Sequence, residues 1–135
     1  MKFKIGAYIR VSTEEQAMRV EGSLESQLHR LTGFIDLKNM QVTDWGVLVD
    51  KYVDELSAKD TNRPQLQRLL RDLKNGKINM VLVTDISRLS RNIRDFCELI
   101  DLFKETKTQF LSLKEQFDTT TAAGEMMLFN MINLA

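Results

Sequence analysis

The apolar positions of this chain change period several times, and each change marks an element. Residues 3–9, FKIGAYI, are a short apolar run with β-branched and aromatic members, which predicts a buried strand. The polar stretch Arg10 to Gly22 is long enough to be a functional loop. Behind Ser23, a good N-cap residue, Leu24, Leu28, Leu31 and Ile35 recur at helical spacing and predict a helix over 23–38. A second strand fits within 42–53, and residues 54–62, DELSAKDTN, read as polar loop. Pro64 suits a first helical turn, Leu66, Leu69, Leu70 and Leu73 make one apolar stripe, and Gly76 closes that helix. Residues 79–84, NMVLVT, are the clearest buried strand. A helix over 92–105 carries Ile93, Phe96, Cys97, Ile100 and Phe103 on one side, and TQFLSL at 108–113 is a further strand. After the turn FDTTTAAG a last helix starts near Thr121.

The resulting order, β-α-β-α-β-α-β-α, predicts an α/β domain with a largely parallel sheet flanked by helices. In such sheets, sites form beyond the carboxyl ends of the strands. Two polar segments sit there, Arg10 to Gln16 and Asp85 to Arg91. The last helix, MMLFNMINLA from Met126 to Ala135, is apolar nearly all round. A surface helix needs only one apolar stripe, so this one is expected to meet another copy, and it reads as the start of a longer helix.

Composition narrows the class. The chain has 135 residues, 43% hydrophobic and 28% charged, enough for a core without disulfide or metal support. With 19 basic and 19 acidic residues the net charge is zero, so no global field draws the chain to nucleic acid. One cysteine, Cys97, and one histidine, His29, exclude an internal disulfide and argue against a zinc site. The amino-terminal apolar run is too short for a signal peptide and no run reaches membrane-span length, so an intracellular, cytoplasmic protein is the simplest reading.

Two constellations carry chemistry. In the first, Tyr8-Ile9-Arg10-Val11-Ser12-Thr13, with Gln16 four residues after Ser12, a serine hydroxyl lies two residues from a guanidinium. Extended backbone puts both on one side, where the arginine can favour the alkoxide and grip a phosphate oxygen. Taken alone, Ser12 and Thr13 fit a turn cap better. In the second, Asp85-Ile86-Ser87-Arg88-Leu89-Ser90-Arg91, a helical turn would put Arg88 and Arg91 on one face and leave Leu89 as an anchor. Converging arginines suit phosphoryl transfer, although an arginine pair by itself is commonplace.

A strand ending in Y-x-R-V-S-T, with a later strand ending in S-R-L-S-R, resembles the serine recombinase family of resolvases, invertases and large serine integrases. The segment SLESQLHRL resembles the family's opening helix, with Gln27 at its glutamine. DELSAKDTNRPQLQRLL resembles its mobile loop and following helix, with Arg63 at an active-site arginine. VLVTDISRLSRN matches a third signature, and DTTTAAGEMMLFNMINLA resembles the start of its dimerisation helix. The resemblance implies a catalytic domain over 1–120 and the start of the long oligomerisation helix over 121–135. It implies that Ser12 attacks a DNA phosphodiester to give a 5′-phosphoserine link, with strand exchange and religation that need no ATP, metal or cofactor. Arg10, Arg63, Arg88 and Arg91 would bind the phosphate; Gln16 and Gln27 would support the site by hydrogen bonding. The partners implied are double-stranded DNA, a homodimer on each site and a homotetramer in the synapse. The length of the 40–62 region and S-R at Ser87-Arg88, where many members have D-R, favour the large integrase or transposon type. Ser87 also leaves open which group protonates the leaving oxygen.

The remaining residues read more plainly. His29 fits a helix surface, Cys97 the core, and Asp50, Asp54 and Glu55 a solvated loop. The alternatives to an enzyme are a catalytically silent relative that bridges DNA, and a plain α/β interaction module. A receiver-type module would want acidic residues directly after the first strand, where this chain has Arg10 and Ser12.

Overall fold

The structure, a computed structural model, describes residues 2–13, 22–56 and 62–134. Its elements are β1 (Phe3–Ser12), α1 (Leu24–Gln41), β2 (Gly46–Leu56), α2 (Pro64–Lys74), β3 (Met80–Val83), α3 (Ile86–Leu89), α4 (Ile93–Glu105), β4 (Gln109–Ser112), β5 (Phe117–Asp118) and α5 (Ala122–Leu134). The five strands form one sheet in the order β2-β1-β3-β4-β5, parallel except for the β4–β5 pair. The α/β class with a largely parallel, helix-flanked sheet is therefore as expected.

Alternation along β1 divides the core in two. Ile5, Ala7, Ile9 and Val11 point to one face and pack with Leu31 and Ile35 of α1. Tyr8 points to the other, where Leu66, Leu69 and Leu73 of α2 and Phe96, Ile100 and Phe103 of α4 cover the sheet. A cluster of Phe96, Phe103, Phe110 and Phe117 closes that layer, with ring centroids 5.5–6.0 Å apart. From β1 the chain crosses through α1 to β2 on one side; it then returns through α2 to β3 on the other side of β1. The chain leaves the carboxyl end of β1 toward β2 and the carboxyl end of β3 toward β4, in opposite directions, and the space between those two ends is the kind of crevice where α/β sheets bind ligands.

Local chemistry sets the helix ends. The Ser23 hydroxyl accepts from the Ser26 amide at 3.2 Å, and the Asn92 side chain accepts from the Asp95 amide at 2.9 Å. Gly76 takes a left-handed φ of 77° just past α2. At Gly124 a Cβ would sit 1.7 Å from the Asp118 carbonyl oxygen, so only glycine lets α5 start so close to β5.

Three local expectations need correction. β1 runs through Ser12, so Arg10 and Ser12 lie on strand, not loop; its ladder with β2 continues to the Ser12–Leu56 pair. β2 covers 46–56 where 42–53 was expected, and its alternation buries Tyr52, Asp54 and Leu56. β5 forms inside a segment read as a turn, paired to β4 through Leu111–Asp118 and Ser112–Phe117.

Candidate active site

The site is assembled where β1, β3 and the start of α2 meet. Tyr8, Arg10 and Ser12 alternate with the apolar residues of β1, so they share the face that α2 covers. From β3 the chain passes Thr84 and Asp85 into the single-turn helix α3. Leu89, fully buried, anchors that turn, and the extended Ser90 ends it.

Arginines and main-chain carbonyls interlock around this turn. The Arg10 side chain donates to the carbonyls of Ser87 (2.8 Å) and Arg88 (3.3 Å). Arg88 returns a bond, its Nη1 donating to the Arg10 carbonyl at 2.9 Å. Arg63, just before α2, donates through Nη2 to the Arg88 carbonyl and through Nη1 to the Leu89 carbonyl, both at 2.7 Å. Its Nε donates to the Tyr8 hydroxyl at 3.1 Å, and its guanidinium lies 5.1 Å from the Tyr8 ring centroid. Residues 53 apart in sequence, Arg10 and Arg63, thus share one acceptor, the carbonyl of Arg88.

This crowding has an electrostatic cost. Burial holds the Arg10 guanidinium below its usual pKa, and the Arg88 and Arg63 charges push the same way. On Tyr8, burial pushes the hydroxyl up, and its bond to Asp54 adds to that shift. The Tyr8 hydroxyl donates to Asp54 at 2.8 Å and so remains a neutral link between a carboxylate and Arg63.

Of the residues picked out in sequence, Arg10, Ser12, Arg63 and Arg88 come together at this end of the sheet. Gln27 joins them from α1. It is fully buried, and its Nε2 donates to the carbonyls of Arg10 (3.0 Å) and Gly22 (2.6 Å). Arg91 does not share a helical face with Arg88, because the turn ends at Leu89. It is exposed, between the 85–90 turn and α4, yet close enough for its charge to act on Arg10. Gln16 lies outside the described residues.

Two acidic residues were misread or left without a role. Asp54, expected in a solvated loop, is 2% exposed. Its carboxylate accepts from the Tyr8 hydroxyl and from the amides of Gln65 (2.9 Å) and Leu66 (3.0 Å). It caps α2 from a neighbouring strand, which Arg63 at the cap position does not do. Its parity with Tyr52 and Leu56 along β2 was the available signal. Asp85 accepts from the Ser87 hydroxyl and from Thr84 Oγ1 at 3.3 Å, and lies 3.6 Å from Arg88 Nε. A carboxylate therefore reaches the Ser87 position indirectly. His29 is exposed and Cys97 half-buried. Among the described residues no group of His, Cys, Asp and Glu could hold a metal, and no helix is long and apolar enough to cross a membrane.

Known proteins resemble this chain in sequence and in fold. The chain is 28% identical over 132 residues to the transposon Tn917 resolvase of Enterococcus faecalis, covering 97% of this chain and 60% of that protein. It is 30% identical over 129 residues to a DNA-invertase of Enterobacteria phage P7, covering 95% of this chain and 58% of that protein. It thus spans rather more than half the length of these curated relatives. The solved N-terminal catalytic domain of TP901-1 integrase superposes with a TM-score of 0.84 at 35% identity, covering 97% of this chain and 93% of that one. The family model for the resolvase N-terminal domain matches residues 5–135, and the chain belongs to that family of serine recombinases.

Proposed function

We propose that this chain cuts and rejoins double-stranded DNA in site-specific recombination, with Ser12 as the nucleophile. The observation that carries the reading is the convergence of Arg10, Arg63 and Arg88 at the end of the strand that bears Ser12. Burial and neighbouring charge both disfavour the Arg10 cation, and an arriving phosphodiester would offset both. The names of the relatives, a transposon resolvase and a DNA-invertase, support a DNA substrate.

In the reaction, Ser12 Oγ bonds to the scissile phosphorus as its proton departs. The bond from phosphorus to the 3′ oxygen breaks, and that oxygen leaves as a hydroxyl after taking a proton. The 5′ phosphate stays on Ser12. Attack by a 3′ hydroxyl reverses the step, and because a phosphoester is kept throughout, no ATP is consumed. Arg10 and Arg88 neutralise the charge on the non-bridging oxygens, and Arg91 approaches from the rim. Arg63 holds the 88–89 carbonyls, and Gln27 fixes the Arg10 backbone. Gln16 has its supporting role on resemblance alone.

Covalent trapping tests the reading. The intact recombinase is mixed with its DNA site carrying a nick that lets the cut end diffuse away, beside Ser12→Ala. A protein–DNA adduct is expected on a denaturing gel, absent in the variant. An adduct that persists in Ser12→Ala removes the nucleophile assignment; DNA binding with no adduct points to the silent, DNA-bridging relative.

We also infer that the protein works as a homodimer and then a homotetramer, in the cytoplasm where its DNA is found. Residues 1–120 form the catalytic unit and 121–135 begin the pairing helix. Leu128 of α5 is buried against the domain, but Met126 and Phe129 are 62% and 61% exposed. Sedimentation is expected to show Phe129→Glu less associated than wild type; equal association would remove α5 from the interface.

A further inference from the structure

The turn that carries Arg88 takes its cap from a distant part of the chain. Ile86 opens α3, and Asp85, at the cap position, makes no side-chain bond to a helix amide. The Asp85 carboxylate is turned instead to the Ser87 hydroxyl and Thr84 Oγ1. The Ile86 amide donates to Glu115 Oε1 at 3.2 Å, across 29 residues. The same oxygen accepts from the Ser112 hydroxyl. Ser112 is fully buried at the end of β4, whereas Glu115 is exposed. A buried hydroxyl thus aims a surface carboxylate at the first amide of the turn.

The backbone around Glu115 is fixed as well. The amides of Leu113 and Lys114 extend the β3–β4 ladder, donating to the carbonyls of Val83 at 3.1 Å and Thr84 at 2.8 Å. The Gln116 amide closes the β4–β5 hairpin on the Leu113 carbonyl at 3.2 Å, with a left-handed φ of 54° at Gln116. The hairpin is therefore bonded to the two residues that lead into Asp85 and α3. A single turn has few bonds of its own: Arg88 donates to the Asp85 carbonyl at 3.1 Å and Ser90 to the Ile86 carbonyl at 3.0 Å. Arg10 and Arg63 hold the carbonyls of residues 87–89, and Glu115 holds the amide at the start.

We propose that Glu115 is a positioning residue for strand cleavage: it holds the start of the 86–89 turn so that Arg88 is presented to the phosphate that Ser12 attacks, and Ser112 fixes its carboxylate. The inference rests on the recombinase reading. Glu115 acts through the turn, and it acts by accepting hydrogen bonds rather than by its charge. A small displacement of a charge-stabilising group is costly at a reacting centre, which is why one surface carboxylate can matter there.

The test compares Glu115→Ala, Glu115→Gln and Ser112→Ala in the intact recombinase. Hydrogen exchange at the Ile86, Arg88 and Ser90 amides, DNA affinity and single-turnover cleavage of bound DNA are measured for each. In Glu115→Ala, exchange at Ile86 and Arg88 is expected to quicken about ten-fold and cleavage to slow about ten-fold. DNA affinity should stay within about two-fold, as for a surface substitution. Glu115→Gln keeps a carbonyl acceptor and should restore both exchange and cleavage. Ser112→Ala should shift both in the same direction as Glu115→Ala and add nothing to it in the double variant, because the two side chains act through one bond network. Wild-type cleavage in Glu115→Ala overturns the proposal. So does a Glu115→Gln variant as slow as Glu115→Ala, which would assign the effect to charge, and so does a loss of affinity that accounts for the slowing. Failure of the recombinase reading would show as a wild-type protein that forms no adduct. Exchange at the turn is read without DNA, and an unchanged rate in Glu115→Ala overturns the positioning role in either case.

Discussion

Two clusters in this domain are built from the same three residue types, and only one reaches the site. Tyr8 and Tyr52 are cross-strand partners on β1 and β2. Each donates its hydroxyl to an aspartate, Tyr8 to Asp54 at 2.8 Å and Tyr52 to Asp72 at 2.6 Å. Each lies beneath an arginine, Arg63 at 5.1 Å and Arg68 at 4.0 Å from the ring centroid. In both, burial is the first cause that pushes the phenol up. What differs is where the arginine's other donors go. Those of Arg63 hold the carbonyls of Arg88 and Leu89. Those of Arg68 go to Gln65, Asp50 and the Lys51 carbonyl, at the half-exposed side of β2. Identical chemistry is a link to the active turn in one place and a lock between α2 and β2 in the other. Function follows from the destination of two or three donors, not from the composition of the cluster.

The comparison breaks most severely at Asp54. Asp54→Ala removes the cap on α2 and leaves the buried Tyr8 hydroxyl without its acceptor, so unfolding should become easier by about 2–4 kcal/mol. Strand cleavage should fall as well, because the Tyr8 hydroxyl that accepts from Arg63 loses the carboxylate that orients it. Denaturant melts and single-turnover cleavage measure the two losses. A variant within 0.5 kcal/mol of wild type, on the order of a surface substitution, would mean that the first cluster is no more structural than the second.

Arg63 sharpens the contrast on the catalytic side. Arg63→Gln keeps a polar side chain but cannot bridge Tyr8 and two carbonyls, so the 86–89 turn should loosen and cleavage slow by about 10²-fold, the usual cost of small misplacement at a reacting centre. DNA affinity should change far less. A positioning role predicts this split; a large loss of affinity with an unchanged cleavage rate of bound substrate would make Arg63 a phosphate-binding group instead.

The sequence already held most of this division, though unevenly. The leucine stripe of α2, the run NMVLVT and the phenylalanines of α4 specify elements by period, and the fold follows from their order. The site was legible wherever its residues flank strand ends, as Arg10, Ser12 and Arg88 do. Asp54 was not, because its partners lie 46 residues before it and 11–12 after it, and no local rule announces a cap supplied from another strand. Arg63 was reached by resemblance alone, since its acceptors are main-chain carbonyls, which carry no sequence signature. β5 was missed for a related reason: its two residues are strand only because β4 lies alongside.

The smallest effect belongs to the second cluster, and its sign is fixed by pH. The hydrogen bond from Arg68 is the main cause that holds the Asp50 carboxyl below its ordinary value, with burial opposing and the Lys51 amide and the charges of Arg68 and Lys77 assisting. A depressed folded-state value means that the stabilisation is present above the unfolded value of about 3.9 and is lost as pH falls through the folded one. Asp50 is 33% exposed, so solvent screening keeps its contribution below about 1 kcal/mol. Thermal melts of wild type and Asp50→Asn should therefore differ by a few degrees at most at pH 7 and converge as pH falls through the depressed folded-state value, with cleavage at pH 7 unaltered. A gap that persists in acid would assign the difference to packing, and a loss of cleavage would mean that the two clusters are coupled through α2 after all.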